Sequence, residues 1–231
     1  MTYSIIAACP ATGRVGIAIA SRSIAVGFTQ VHLVGKVGAL VRLGKRDDLT
    51  TRTLFKLLEQ GVPPSAAIAL SGVEERSHLT RQVALIDASA RTAVWEASGT
   101  DPWSGFVAGA GFIASGEGLA GAGVIKAMAD SFAAGGGSDF DVRLLAALEA
   151  GSAAGGLAGP AERSAALVVH GAGVHSELDL RIDLQEGAVA ELRVMFDFYK
   201  PYEAFYRLRS ENPRQTPPQE AFMATLAATA D

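Results

Sequence analysis

Apolar positions near the N-terminus follow the short period of β-strands. Tyr3 to Ala8 is a compact apolar run, Pro10 to Gly13 has the composition of a turn, and Val15 to Ala20 alternates β-branched with small residues. This arrangement predicts a β-hairpin. The β-branched stretch Val31 to Leu43 predicts one or two further strands, with a bulge or kink at one of its glycines.

Helix pairs and further hairpins follow. Helical spacing predicts helices in Thr50–Gln60, after Pro63-Pro64, in Val124–Phe132, in Phe140–Ala150, in Val189–Arg209 with a break at Pro201, and within Thr216–Asp231. Strand patterns occur in Arg81–Ile86, Thr92–Glu96, Phe106–Ser115, Ser164–His170 and Leu178–Leu184. Because hairpins, not single strands, alternate with helix pairs, the order predicts an α+β layered sandwich of mainly antiparallel sheets covered by helices.

Composition narrows the class of protein. Of 231 residues, 49% are apolar and 19% are charged, which excludes a disordered chain and fits a single domain. A net charge of −4 without a basic cluster argues against nucleic acid or a membrane surface as partner. No uncharged apolar run reaches the roughly 18 residues that a membrane span needs. With Cys9 as the only cysteine and no export signal at the N-terminus, we expect a reducing cytoplasm.

Short stretches spread over most of the chain carry a family resemblance. They are the opening Met-Thr-Tyr-Ser-Ile-Ile-Ala, Gly16–Arg22, Ala25–Gly27, Arg81–Val83, Leu119–Gly121, Ala127-Met128, Leu145–Gly151, Ala153–Gly156, Ser164–Ala166 and Ala190–Arg193. In combination they resemble an uncharacterised bacterial family called domain of unknown function ten-twenty-eight. The resemblance extends to about Asp197, so we expect a single domain over residues 1–231, with the family core in 1–197 and a C-terminal helical extension in 198–231.

This family looks like an N-terminal-nucleophile (Ntn) hydrolase, whose fold is a four-layer αββα sandwich. The resemblance implies an amidohydrolase in which Thr2, exposed by removal of Met1, attacks a small amide. Its free α-amine would be the base, because an α-amine has a pKa of roughly 7.7–8.0. Arg22 and Lys36 would be the cationic partners. No Asp or Glu precedes Arg46, so a carboxylate would have to come from elsewhere in the chain.

Plainer interpretations stand beside these roles. Thr2 is also an ordinary β-branched strand residue, and Lys36 is also a charge that keeps a strand edge soluble. Candidate substrate-binding residues are Ser21, Ser23, Glu117 and Trp103, the last in an Asp101-Pro102-Trp103 turn that could equally serve packing or a subunit interface.

Two departures from the family pattern motivate a second hypothesis. Glu117 stands where the family tends to have Asn, which replaces an amide donor by a carboxylate and weakens an oxyanion-hole role. Leu157 follows Gly155-Gly156 where the family tends to have Asp, and Arg163 is displaced. The alternative is therefore a catalytically inactive binding or oligomeric scaffold protein with the same fold.

Other motifs compete for a function. Residues 116–121 match the G-x-G-x-x-G dinucleotide pattern, but the surrounding hairpins favour a tight strand-to-helix turn. His170 and His175 could approach each other, yet a metal site needs three or four ligands. We therefore expect no cofactor and no metal. The aromatic stretch Phe196 to Tyr206 favours core packing or a homodimer surface.

Overall fold

The computed structural model describes residues 1–45, 47–97, 103–171 and 176–229. These form two compact units, residues 1–192 and residues 193–231. The boundary lies close to the predicted start of the C-terminal extension. Of the predicted features, Asp101-Pro102 and His175 lie outside the described residues.

The first unit contains ten strands among the described residues. They are β1 (Thr2–Cys9), β2 (Arg14–Ser21), β3 (Val31–Val34), β4 (Gly38–Gly44), β5 (Thr80–Asp87), β6 (Thr92–Glu96), β7 (Gly105–Gly109), β8 (Phe112–Glu117), β9 (Ser164–His170) and β10 (Ser176–Ile182). Its helices are α1 (Val26–Thr29), α2 (Asp48–Glu59), α3 (Pro64–Leu70), α4 (Gly123–Ala134) and α5 (Phe140–Ala153). Helix α6 (Ala188–Tyr199) begins here and ends in the second unit.

The strands form two antiparallel sheets. Sheet A has six strands in the order β10-β9-β2-β1-β8-β7, and sheet B has four in the order β3-β4-β5-β6. Every described pair is antiparallel. The predicted α+β class with antiparallel sheets is therefore confirmed.

The inner faces of the two sheets share one apolar core. Ile6 and Ile17 of sheet A belong to the same buried cluster as Val41 and Ile86 of sheet B. Because strand side chains alternate between faces, the hydroxyl residues at the start of β1 point toward sheet B on the same face as Ile6.

Helices cover the outer faces. On sheet B, Leu54 and Leu58 of α2 and Ile68 of α3 pack with Leu40 and Leu85 in a second buried cluster. On sheet A, α4 and α5 pack against each other and against the strands.

Small residues on β2 let α5 approach sheet A closely. A Cβ added at Gly16 would lie 2.6 Å from Leu144 Cδ1 of α5, so a larger residue would have to displace that side chain. The alternation of branched and small residues in β2 therefore reflects one face against sheet B and one against a helix.

The second unit is helical. After α6 a 3₁₀ turn (Lys200–Tyr202) leads to α7 (Glu203–Glu211) and α8 (Gln219–Thr229), so the predicted break at Pro201 is confirmed. The rings of Tyr199 and Tyr206 stack with centroids 5.5 Å apart. On α6, Val194 and Phe198 are exposed, Phe198 by 75%.

Among the described residues, none of the helices combines the length and the apolar character that crossing a bilayer requires.

Candidate functional site

Thr2 lies at the start of β1, between two strands that each place a polar side chain beside it. Its register partner on β2 is Ser21, and its partner on β8 is Glu117. Residues directly opposite in an antiparallel pair share a face, so the three side chains lie side by side and face sheet B. All three are buried, with exposures of 6% for Thr2, 1% for Ser21 and 7% for Glu117.

The Ser21 hydroxyl connects Thr2 to the backbone. Thr2 Oγ1 lies 2.9 Å from Ser21 Oγ, and Ser21 Oγ donates to the Met1 carbonyl oxygen at 3.1 Å. Because a hydroxyl has only one proton to donate, Thr2 is the donor in the contact with Ser21. The Thr2 proton therefore points at Ser21, and the lone pairs of Thr2 Oγ1 remain available.

Two donors converge on the Met1 carbonyl oxygen. Besides Ser21 Oγ, the backbone N–H of Arg22 donates to it over 3.3 Å. The N–H of Ser23 in turn donates to Ser21 Oγ at 3.1 Å and fixes that hydroxyl. The turn after β2 thus presents a pair of hydrogen bonds to a carbonyl group that adjoins Thr2.

A charged pair completes the cluster. Arg81 Nη2, at the start of β5, donates to Glu117 Oε1 at 2.6 Å, and the N-terminal amine of Met1 lies 3.8 Å from the same oxygen. Arg81 is on sheet B and Glu117 on sheet A, so the ion pair joins the two sheets beside Thr2. We refer to Thr2, Ser21, Glu117 and Arg81 as the Thr2 cluster.

The structure also locates the predicted cations. Arg22 contributes its backbone N–H to the cluster, while its guanidinium lies beside Gly159, with Nη1 3.8 Å from where a Cβ on that glycine would be. Lys36 is exposed in the turn between β3 and β4, with a left-handed φ of 63°.

The structure does not bring Lys36 to Thr2. Gly38, just after the Lys36 turn, pairs with Asp87 at the end of β5, whereas Arg81 is at its start. At about 3.3 Å per residue the two ends of β5 are about 20 Å apart. Among the described residues, the basic side chain that pairs with Glu117 beside Thr2 is Arg81. In the sequence, the Arg81–Val83 stretch contributed only to the family resemblance.

The other predicted binding residues lie around the same end of sheet A. Ser23 is exposed and reaches the cluster through its backbone alone. Trp103 is 57% exposed and precedes β7, whose first residue Gly105 pairs with Gly116 of β8. It borders a cavity of about 230 Å³ together with Phe106 and Ile125, and Thr2 does not belong to that lining.

The glycine motif of residues 116–121 allows the tight turn at the end of β8 and its close approach to Met1. Gly118 has a φ of 64°, and a Cβ there would lie 2.4 Å from Met1 Cγ. Since β8 is antiparallel to both of its neighbours, the segment lacks the parallel βαβ context of a dinucleotide site. Within the described ranges, no three His, Cys, Asp or Glu side chains are grouped as a metal site would need.

Comparisons with known proteins agree with this architecture. The chain is similar to a solved structure, the crystal structure of protein SPO2555 from Silicibacter pomeroyi, with a TM-score of 0.77 and 28% sequence identity. The match covers 86% of this chain and 89% of that chain, and the description of that structure names the family DUF1028. No curated protein matches the chain.

A family model covers all members of the Thr2 cluster. It matches residues 2–192, which are nearly the whole of the first compact unit. The predicted resemblance to this family is confirmed, and the chain belongs to the Family of unknown function (DUF1028).

Proposed function

We propose that this protein is an Ntn-type amidohydrolase that cleaves a small amide with Thr2 as nucleophile. The observation that carries the proposal is the position of the Thr2 hydroxyl. It stands at the first residue of a central strand, on the face between two antiparallel sheets, with Oγ1 2.9 Å from the Ser21 hydroxyl. The succession of helices, sheet A, sheet B and helices supports an αββα sandwich of the Ntn type.

The reaction requires that Met1 be removed, because an amide nitrogen cannot act as a base. Thr2 is small enough for methionine removal. The freed α-amine takes the proton of Thr2 Oγ1 as this oxygen attacks the substrate carbonyl carbon. The ammonium then protonates the leaving amine as the C–N bond breaks, which leaves an ester on Thr2. Water, deprotonated by the same amine, hydrolyses the ester to a carboxylic acid and regenerates the hydroxyl.

The donors that now hold the Met1 carbonyl fit the developing oxyanion. Removal of Met1 would free Ser21 Oγ and the Arg22 N–H, which lie 3.1 and 3.3 Å from that oxygen. A substrate carbonyl oxygen near that position, on the carbon that Thr2 Oγ1 attacks, would accept hydrogen bonds from the same two donors. Such preorganised donors stabilise a tetrahedral intermediate because they need no rearrangement as charge develops.

Glu117 and Arg81 set the charge around the α-amine. A lone carboxylate opposite Thr2 would favour the protonated form of its α-amine, which cannot accept a proton. The Arg81 guanidinium, 2.6 Å from Glu117 Oε1, offsets that charge. In this proposal Glu117 is the carboxylate that the sequence left unassigned, and Arg81 takes the role expected of Lys36.

The alternative is a binding or scaffold protein without catalysis. Its support is that both polar groups of Met1 are engaged: the carbonyl by Ser21 and Arg22, and the amine by Glu117. A protein that keeps Met1 would use these contacts to fix the end of β1.

We propose the cellular location and the oligomeric state that the sequence led us to expect. The free Cys9 thiol suits a reducing compartment, so the proposed location is the cytoplasm. The exposed apolar residues of α6 support a homodimer, which is tested below.

Two measurements decide between the hypotheses. Intact-mass analysis of the purified protein should show loss of Met1. A panel of small acyl p-nitroanilides should then reveal hydrolysis that is absent in Thr2→Ala and unchanged in Thr12→Ala, a matched change in the exposed β1–β2 turn. Full retention of Met1, or hydrolysis by Thr2→Ala at the wild-type rate, would refute the nucleophile mechanism and favour the scaffold.

A further inference from the structure

A polar cavity lies in the first unit, beside a loop that is hydrogen-bonded to the ends of the strands that flank Thr2. The loop runs from Gly155 to Arg163. The Ala158 N–H donates to the Gly118 carbonyl at 2.9 Å, and the Arg163 N–H donates to the Ser21 carbonyl at 2.8 Å. The cavity has a volume of about 330 Å³, which is within the range of small-ligand sites.

Four glycines line this cavity. They are Gly155, Gly156, Gly159 and Gly187, all of which have a φ between 55° and 112°. Side chains are strained in that region of backbone conformation, so these positions favour glycine. Leu157, also in the lining, adds an apolar wall.

Glu162 is the charged group of the cavity. It lines the space and is only 6% exposed. Within the described ranges no basic side chain forms an ion pair with it, although the Arg22 guanidinium lies beside Gly159 in the same lining. A cationic ligand in the cavity could therefore form a charge-assisted hydrogen bond with this carboxylate.

A second polar group lies behind the same wall. Tyr3 is fully buried, and its hydroxyl lies close to Ser152 and Glu162, although no hydrogen bond of good geometry satisfies it in the part of the chain that the structure describes. Its oxygen would lie 3.7 Å from a Cβ on Gly156. Burial, and then the charge of Glu162, raise the pKa of Tyr3, so Glu162 and the phenol are close neighbours. The lining also contains Ser152, which supplies a hydroxyl group.

We propose that this cavity binds a small ligand with a primary ammonium group, which pairs with Glu162 while a short carbon chain lies along Leu157 and Ala190. An ammonium has three donors to share among carboxylate, hydroxyl and backbone oxygens. A divalent metal ion fits less well, because oxygen-ligated metals take six or more ligands and the cavity offers one carboxylate. The site is separate from the Thr2 cluster, and its proposal does not depend on hydrolysis.

The test uses n-butylammonium as the probe and n-butanol as its neutral counterpart, with binding measured by calorimetry and ligand-observed NMR. The wild-type protein should bind the ammonium and not the alcohol. Glu162→Gln keeps the shape of the side chain and should weaken ammonium binding at least tenfold. Glu186→Gln removes an exposed carboxylate next to Gly187 of the lining and should leave binding unchanged.

A second variant tests the cavity independently in case Glu162→Gln does not fold. Ala190→Leu enlarges an exposed helical residue at the edge of the cavity, keeps Glu162, and should abolish ammonium binding by filling the space. Absence of binding to the wild type, equal binding of butanol, or full binding by folded Glu162→Gln or Ala190→Leu would each overturn the proposal.

Discussion

Thr2 Oγ1 and Ser21 Oγ lie 2.9 Å apart across the β1–β2 pair, and Ser21 Oγ donates a hydrogen bond to the Met1 carbonyl oxygen. These hydrogen bonds orient both hydroxyl groups, because Thr2 donates to Ser21, while Ser21 accepts from Thr2 and from the Ser23 N–H and donates to the Met1 carbonyl oxygen. They also link the proposed nucleophile to the proposed oxyanion site through a single side chain.

Ser21→Ala should therefore impair catalysis and stability together. The change removes one of two donors at the oxyanion position, so we expect amide hydrolysis to fall about 10²- to 10³-fold. It also leaves the buried Thr2 hydroxyl without its acceptor, which costs about 1–3 kcal/mol in the free energy of unfolding. Steady-state rates and urea denaturation measure the two effects. Ser23→Ala is the control, since Ser23 reaches the cluster only through its N–H. Equal activity of Ser21→Ala and wild type would contradict the role of Ser21.

Arg81→Gln should move the pH–rate profile of hydrolysis to higher pH. Without the guanidinium, Glu117 faces the α-amine uncompensated and favours its protonated form, so the base becomes available only at higher pH, by up to about one unit. Rates at neutral pH fall and recover in alkaline buffer. Arg91→Gln is a matched control, because Arg91 pairs with Asp87 at the opposite end of β5, with Nε 2.5 Å from Oδ2. An unshifted profile in Arg81→Gln would show that the ion pair has no influence on the base.

The strand period allowed the sequence to predict part of this site. The tight turn between β1 and β2 makes their register local, so Thr2 and Ser21 come together at one end of a hairpin. The pairing of β1 with β8 joins residues more than a hundred positions apart. Periodicity says nothing about such pairings, so the position of Glu117 opposite Thr2, and of Arg81 across the sheets, required the structure.

The position of Lys36, away from Thr2, was likewise not evident from the sequence. Val31 to Leu43 has strand composition throughout, yet the chain reverses after Val34 and β4 begins at Gly38. Lys36 adopts φ 63° in that turn, which composition did not indicate for a lysine. Helix α1 was also not predicted, because its four residues are too few to show a helical period.

Phe198→Glu should dissociate the proposed homodimer. Phe198 is 75% exposed on α6, and Val194, one turn earlier, is 50% exposed. A charge at the centre of an apolar contact is costly to bury, so the variant should elute as a monomer while keeping the circular dichroism of the wild type. Light scattering coupled to size exclusion gives the mass. Leu184→Glu changes an apolar residue that is 65% exposed in the first unit and should leave the dimer intact. A monomeric wild type would refute the homodimer.

Asp47→Asn should make the free energy of unfolding depend less steeply on pH in acid solution. Asp47 caps α2 by accepting from the Thr50 N–H at 3.2 Å, and Arg76 Nε donates to its Oδ2 at 2.7 Å. Burial alone would raise the pKa of Asp47, but the hydrogen bonds from Arg76 and Thr50 outweigh it and hold the pKa well below the ordinary value. A carboxyl group whose pKa is lower in the folded state stabilises the fold above its unfolded pKa of about 3.9 and loses that contribution as the pH falls.

Wild-type stability should accordingly drop between about pH 5 and pH 2, and Asp47→Asn, which lacks the titrating group, should drop less steeply over that interval. Asparagine is itself a good N-cap, so the variant at neutral pH reports mainly the lost ion pair, whereas Asp47→Ala adds the loss of the cap, about 1 kcal/mol. Chemical denaturation across pH measures all three proteins. Asp130→Asn is the control, because its pair with Lys126 is exposed on α4 and such pairs contribute little. If the free energy of unfolding falls equally steeply with pH in the wild type and in Asp47→Asn, Asp47 is not a source of the acid sensitivity.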